Sequence, residues 1–279
     1  MCILFIYRNP SATGSDYRLI VATNRDENYH RPTRAAYYWE NHPDCLGGTD
    51  EEPTKEGGTW LAISTKGRGG VLLNLSEPPT ENPRDGPDTP KKGRGFLVTN
   101  YVVSRETTEN YLSTLYEENR KFDTYNPYTL VLLDLKTAEV SFLSSSRNSK
   151  GPELSVTDTI LGFGNTSVET PYKKVTNGKE QFKQIVTDSK STHENVLIEK
   201  LIHFLKSNEQ HLPDDVMEEI HQEESKALSS IFVHAGERNY GTRTHTVILV
   251  DASDRVTFVE ETMNEDKTWS RQRFVTSLE

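Results

Sequence analysis

Apolar residues gather in short runs at both ends of the chain and at helical spacing through its middle. "ILFIY" (3–7) and "YRLIVAT" (17–23) are strand-length runs. The turn chemistry of "NPSATGSD" (9–16) between them predicts a hairpin. "TWLAI" (59–63) and "GVLLNL" (70–75) predict two further strands joined by "STKGRG". The Pro-, Gly- and charge-rich stretch 76–95 reads as an exposed loop. Helical spacing follows over 96–105 and, after a Thr suited to a cap, over 107–122. "YTLVLLDL" (128–135) and "EVSFLSS" (139–145) predict a hairpin turning at "KTA". Segments 171–189 and 193–207 predict helices, although Gly178 weakens the first. "SSIFVHA" (229–235), "RTHTVILVD" (243–251) and "RVTFVEETM" (255–263) predict strands, the last two a hairpin. Hairpins dominate and strand–helix alternation is absent. The pattern predicts an α+β fold of antiparallel sheets covered by helices, as one domain over 1–279.

Composition narrows the function. The chain has 279 residues and a formal net charge of −10. An acidic surface repels phosphate backbones and argues against nucleic acid as a partner. No apolar run is long enough to cross a bilayer. "MCILFIYRNP" lacks a basic leader and reads as a strand, so the expected location is cytoplasmic and not secreted. The two cysteines, Cys2 and Cys45, are too few for a disulfide scaffold, and no C-x-x-C pair suggests a metal site.

The candidate chemistry begins at Cys2. It follows the initiator Met, and a small second residue permits Met1 removal. Cys2 would then carry a thiol and a free α-amine, whose pKa near neutrality suits it to act as the nucleophile's own base. The alternative is a small buried hydrophobe in an apolar strand. The predicted hairpin brings Asn24, Arg25 and Asp26 back beside Cys2. Ending the strand at Thr23 would let Asp26 face the Cys2 nitrogen, Arg25 anchor a turn and Glu27 point to solvent. A surface salt bridge or cap is the alternative. Asn74 and Asn165 follow strands and are candidate oxyanion donors; a bulge and an Asx turn are the alternatives. Arg243 and His245 alternate on a strand and are expected on one face. His245 is a base, a ligand or a satisfied core histidine. Gly57 and Gly58 would allow close backbone approach to a ligand.

"MCIL", "ATNRDE", "KEGGTWLAIS", "LLNL", "GFGN", "ETPYKKV" and "YGTRTHTVILVD" run in order along almost the whole chain. Together they resemble the NRDE family, the transport and Golgi organisation 2 proteins. The resemblance implies an N-terminal-nucleophile hydrolase fold: four layers, αββα, with two stacked antiparallel sheets. It implies similarity to cysteine amidases of conjugated bile acids and penicillin V. Cys2, Arg25, Asp26, Asn74 and Asn165 match their site positions, and Arg243 is a looser match. Adjacent Arg25 and Asp26 depart from those amidases, which space the pair apart. The resemblance also implies roles in haem trafficking and in lipid and Golgi-secretory homeostasis, and association with mitochondria or Golgi. Haem would then be cargo, with no cofactor required and His30, His42, His245 or Cys2 as axial candidates. The other implied activity is hydrolysis of an amide or thioester of a small acyl, lipid-like substrate.

Overall fold

The computed structural model describes residues 1–77, 91–122, 124–146, 149–188 and 193–279. In chain order the strands are β1 (Ile3–Arg8), β2 (Tyr17–Asn28), β3 (Thr33–Trp39), β4 (His42–Asp50), β5 (Leu61–Ser64), β6 (Arg68–Asn74), β7 (Tyr128–Asp134), β8 (Glu139–Ser144), β9 (Ile160–Phe163), β10 (His234–Ala235), β11 (Tyr240–Asp251), β12 (Arg255–Met263) and β13 (Trp269–Ser277). The helices are α1 (Phe96–Val103), α2 (Thr108–Phe122), α3 (Lys173–Asp188), α4 (Glu194–Leu205), α5 (Asp215–His221) and the single turn α6 (Ser225–Leu228). The exposed loop expected over 76–95 lies largely outside the described residues. Among the described residues no helix is long and apolar enough to cross a membrane.

The chain forms two compact units. The first comprises Met1–Arg31, Leu135–Ala138 and Thr157–Leu278; the second comprises Pro32–Asp134, Glu139–Val156 and Glu279. In the first, the order β13-β12-β11-β2-β1-β9 makes an antiparallel sheet, with β10 on β11. One face packs against α3 and α4. Ile3, Phe5, Ile20, Ala22, Val247 and Leu249 meet Phe182, Leu201, Ile202 and Leu205 there. The other face is buried as well, at Leu4, Ile6, Leu19, Val21, Ile248 and Phe258. Burial on both faces explains why these strands read as continuous apolar runs and not as alternation.

The second unit is the antiparallel sheet β3-β4-β5-β6-β7-β8 with α1 and α2 against it. Its core joins Leu97, Val98, Tyr101 and Leu112 to Leu130 and Leu132. The close approach expected at Gly58 occurs, but to the chain itself. A Cβ on Gly58 would lie 3.3 Å from the Gly95 backbone, and the Thr59 N–H donates to the Gly95 carbonyl at 3.1 Å. Gly57 has φ +84, a conformation natural to glycine.

The structure departs from the sequence expectation at three kinds of place. β2 does not stop at Thr23 but runs to Asn28, because β11 pairs with it along its whole length. The strand expected over 229–235 is reduced to the two residues of β10. The backbone before it is satisfied from elsewhere: Leu228 and Ser230 carbonyls by Lys174, the Ile231 carbonyl by Asn24, and the Val233 N–H by Thr242. A segment whose polar groups are already paired with side chains needs no ladder partner. β3, β4, β9 and β13, and helix α5, were not foreseen.

Gly178 explains its presence inside α3. A Cβ there would lie 2.6 Å from Phe5 Cζ, and Phe5 is fixed between Phe182 at 5.7 Å and Phe204 at 5.1 Å. Alanine in an exposed helix would gain about 1 kcal/mol over glycine. Overpacking against a ring that cannot move costs about 1–3 kcal/mol and wins. Gly178→Ala should therefore lower stability in urea melts; an increase would show that Phe5 is free to yield.

Candidate functional site

The site forms where the N-terminus meets the end of β2. Ile3 pairs with Asn24, and Leu4 pairs with Phe163 on the other side. Continuing both registers places Cys2 level with Arg25 on one neighbour and with Asn165 on the other. Thus four of the expected residues, Cys2, Arg25, Asp26 and Asn165, converge at one end of one sheet. Asn165 is buried just beyond β9.

Asp26 is the centre of this arrangement. Its side chain is fully enclosed. Oδ1 accepts from the Thr242 hydroxyl at 2.6 Å, and Oδ2 lies 3.3 Å from the Met1 ammonium. That ammonium also donates to the Tyr240 hydroxyl. The carboxylate therefore meets the nitrogen of Met1, one residue earlier than the sequence suggested. Cys2 touches the Asp26 backbone: the Asp26 N–H points at Sγ at 3.4 Å, and Sγ lies 3.7 Å from the Asp26 carbonyl. Cys2 as a residue is half-buried, with its sulfur turned inward. Burial pushes its thiol pKa up, opposed by the adjacent N-terminal charge; Asp26 adds to the rise, and Arg25 opposes it. With Met1 in place the thiol is held as a thiol.

Alternation separates Arg25 from Asp26. Arg25 lies on the opposite face, 3.8 Å from Glu27, which also pairs with Arg31 at 3.7 Å. Glu27 is thus an ion-pair partner and not a solvent-pointing side chain. Arg243 does not share a face with His245. The β2–β11 register shifts between Thr242 and Thr244, so Arg243 is the extra residue of a bulge. Its guanidinium donates to the Asn28 and Arg31 carbonyls at 3.0 and 2.6 Å, fastening the chain that leaves β2.

Asn24 and His245 are structural. Asn24 Nδ2 donates to the Leu205 and Ile231 carbonyls at 2.8 and 3.0 Å, and its Oδ1 lies 2.7 Å from His245 Nδ1. His245 stacks on Trp269 at 4.7 Å and has no exposed surface. Burial lowers its pKa to about 3, so the ring is neutral and sealed from any external metal. His30 and His42 are exposed. Asn74 belongs to the second unit, at the end of β6 opposite Tyr128, with an exposed side chain. Cys45, also in that unit, is a buried thiol whose pKa is pushed up to about 12, first by burial.

Three contributors escaped the sequence reading: Thr242, Tyr240 and Lys174. Lys174 is fully buried; its Nζ donates to the Leu228, Ser230 and Met1 carbonyls at 2.8, 3.1 and 3.5 Å. A signal existed, because Lys174 falls four residues before Gly178 in the apolar stripe of α3. Thr242 and Tyr240 sit in a polar strand start that offers no comparable signal.

The family model for transport and Golgi organisation 2 matches residues 1–265. The chain belongs to that family. The mouse transport and Golgi organization 2 homolog is 36% identical with full coverage of both chains. The human homolog is 37% identical over 94% of this chain and 93% of its own, and the fly protein is 34% identical over 94% and 92%. Among solved structures, penicillin V acylase from Agrobacterium tumefaciens matches with a TM-score of 0.55, 12% identity and coverage of 99% and 86%. The C2A mutant of conjugated bile acid hydrolase from Clostridium perfringens matches with a TM-score of 0.51, 8% identity and coverage of 100% and 92%. At such identity the likeness establishes the fold alone: the chain has the α+β fold of these structures, of the N-terminal-nucleophile hydrolase type that its sequence suggested.

His245 gives a pH test. Its folded pKa lies below the ordinary 6.5, so the unfolded chain binds the extra proton as pH falls. Its contribution to stability is intact above pH 6.5 and declines below it, by up to about 1.4 kcal/mol per pH unit. His245→Gln should lose less stability than the parent between pH 7 and 5 in urea melts; parallel losses would contradict the assignment.

Proposed function

We propose that this protein is a latent cysteine acyl-transferase of the hydrolytic kind, active on an amide or thioester of a small acyl group once Met1 has been removed. The observation that carries this reading is the convergence of Cys2, Asp26 and the N-terminal amine. Removing Met1 transfers the terminal amine to Cys2 itself, beside its own thiol. The unprotonated amine takes the thiol proton as Sγ attacks the acyl carbonyl. The Sγ–carbon bond forms, the carbon–nitrogen or carbon–sulfur bond breaks, and the proton passes from the amine to the leaving group. Water, deprotonated by the same amine, then attacks the thioester carbon; the oxygen–carbon bond forms, the Sγ–carbon bond breaks, the acid leaves and the amine returns the proton to Sγ. Asn165, level with Cys2, supplies an amide donor for the developing oxyanion. The Asp26 backbone seats the thiol, while Arg25 and Arg243 support the end of β2 from the face opposite the Asp26 carboxylate.

The family name points to transport and Golgi organisation, and the chemistry proposed is the molecular activity within such a role, on a lipid-like acyl group. Haem as cargo is the competing proposal. It would have to use Cys2 or an exposed histidine such as His30, because His245 is enclosed between Asn24 and Trp269. The convergence at Cys2 favours acyl transfer.

Cys2→Ala decides between a nucleophile and a packing cysteine. The variant should lose all labelling by a thioester acyl probe in the Met1-free protein while its melting temperature falls only slightly, because the change removes one sulfur atom whose polar contacts are long ones to the Asp26 backbone. Retained labelling, or a large loss of stability, would overturn the reading.

A further inference from the structure

Met1 is recognised at every one of its groups. Its ammonium is held by Asp26 and Tyr240, and its carbonyl by Lys174. Its side chain belongs to the core that includes Phe5, Tyr172, Val175 and Ile231, and the residue is 5% exposed. These partners come from β2, β11 and α3, three separate elements. Asp26 and Lys174 are buried charges, which a fold keeps only where they are matched. Burial lowers the Lys174 pKa to about 8, and the Asp26 charge works against that fall.

Removing Met1 breaks one peptide bond and withdraws one amino acid from this enclosure. The groups left behind have a definite pattern. Asp26 and Tyr240 mark a position for an ammonium. Lys174, together with the newly freed Cys2 amine at the severed bond, marks a position for a carboxylate. Beside them lies the apolar space that the unbranched Met1 side chain fills in the core. A free α-amino acid matches this pattern at both charged ends, as the peptide-bound Met1 does at one. An uncharged apolar molecule would leave Asp26 buried without its cation. An N-acylated amino acid fails for the same reason, since it carries no ammonium.

We propose that the Met1-free protein binds a free L-α-amino acid with an unbranched apolar side chain in the slot that Met1 otherwise fills. Met1 is in this view a tethered occupant of an amino-acid site. In the Met1-bearing form the position is filled, so the ligand has no place there. The proposal shares with the acyl-transfer reading the removal of Met1 and the freed Cys2 amine. Binding requires no attack by the thiol, so either can fail while the other stands.

The test compares protein released from a fusion cleaved directly before Cys2 with protein that keeps Met1, each verified by intact mass and kept reduced. L-methionine and L-norleucine should raise the melting temperature of the Met1-free form saturably and leave the Met1-bearing form unmoved. N-acetyl-L-methionine should bind at least about 10-fold more weakly, as expected for loss of a buried charged hydrogen bond. Asp26→Asn in the Met1-free form should abolish the effect. If the Met1-free protein does not fold unaided, its refolding yield is measured with and without L-methionine. Recovery only with the amino acid supports the site. Absence of a saturable shift, an equal shift in both forms, equal binding of the N-acetyl compound, or refolding failure under both conditions overturns it.

Discussion

A carboxylate enclosed at the end of a sheet must be given a cation and donors, and Asp26 imposes that requirement on everything around it. The Thr242 hydroxyl answers one oxygen and the chain's own N-terminal ammonium answers the other. Meeting the second demand draws the N-terminus into the fold, seats Cys2 against the Asp26 backbone and brings Tyr240 alongside. The bulge at Arg243 belongs to the same solution. The extra residue lets Thr242 turn to Asp26 while His245, three positions on, turns to Asn24. One buried charge thus links β1, β2, β11 and α3. This is why the chemistry concentrates here and not at Cys45, whose thiol is buried in the second unit beside Asp44.

Much of this was legible in the sequence because both-face burial writes itself as unbroken apolar runs. β1, β7 and β8 and the helices α1 to α4 were placed within a few residues. β2 was cut short at Thr23 because Asn24, Arg25 and Asp26 read as polar punctuation. In the structure these three are interior strand residues, each paired with a specific partner, and nothing local in the sequence distinguishes that from a turn. β4 escapes the apolar pattern because Pro43, Gly47 and Gly48 interrupt it. Yet a Cβ on Gly47 would lie 2.5 Å from the Leu61 carbonyl, so the glycine serves strand packing and not a turn. β13 is an edge strand with mostly polar, partly exposed side chains and carries little apolar signal. It is fastened by Arg271 to its neighbour Glu261 and, across 72 and 79 residues of chain, by Arg271 to Glu199 and Arg273 to Glu194.

The site was legible in part. Position two, the "NRD" run and "GFGN" point to Cys2, Asp26 and Asn165, and the structure brings these candidates to one end of one sheet. A regular strand puts adjacent residues on opposite faces, and because β2 continues past Thr23 that is where Arg25 and Asp26 lie. Lys174 and Tyr240 were not legible, because their role depends on meeting Met1 across 173 and 239 residues of chain. The two forms of the N-terminus are chemically different proteins. With Met1, the thiol is protonated and its would-be base is an amide. Without Met1, the amine is free beside the thiol, and the charges that held Met1 are released.

The state of the N-terminus in cells therefore decides the central claim. Intact-mass measurement of the protein isolated from cells that express it naturally should give the mass of a chain beginning at Cys2. A population that keeps Met1 throughout would mean that the amine never becomes the thiol's base, and the acyl-transfer account would be contradicted.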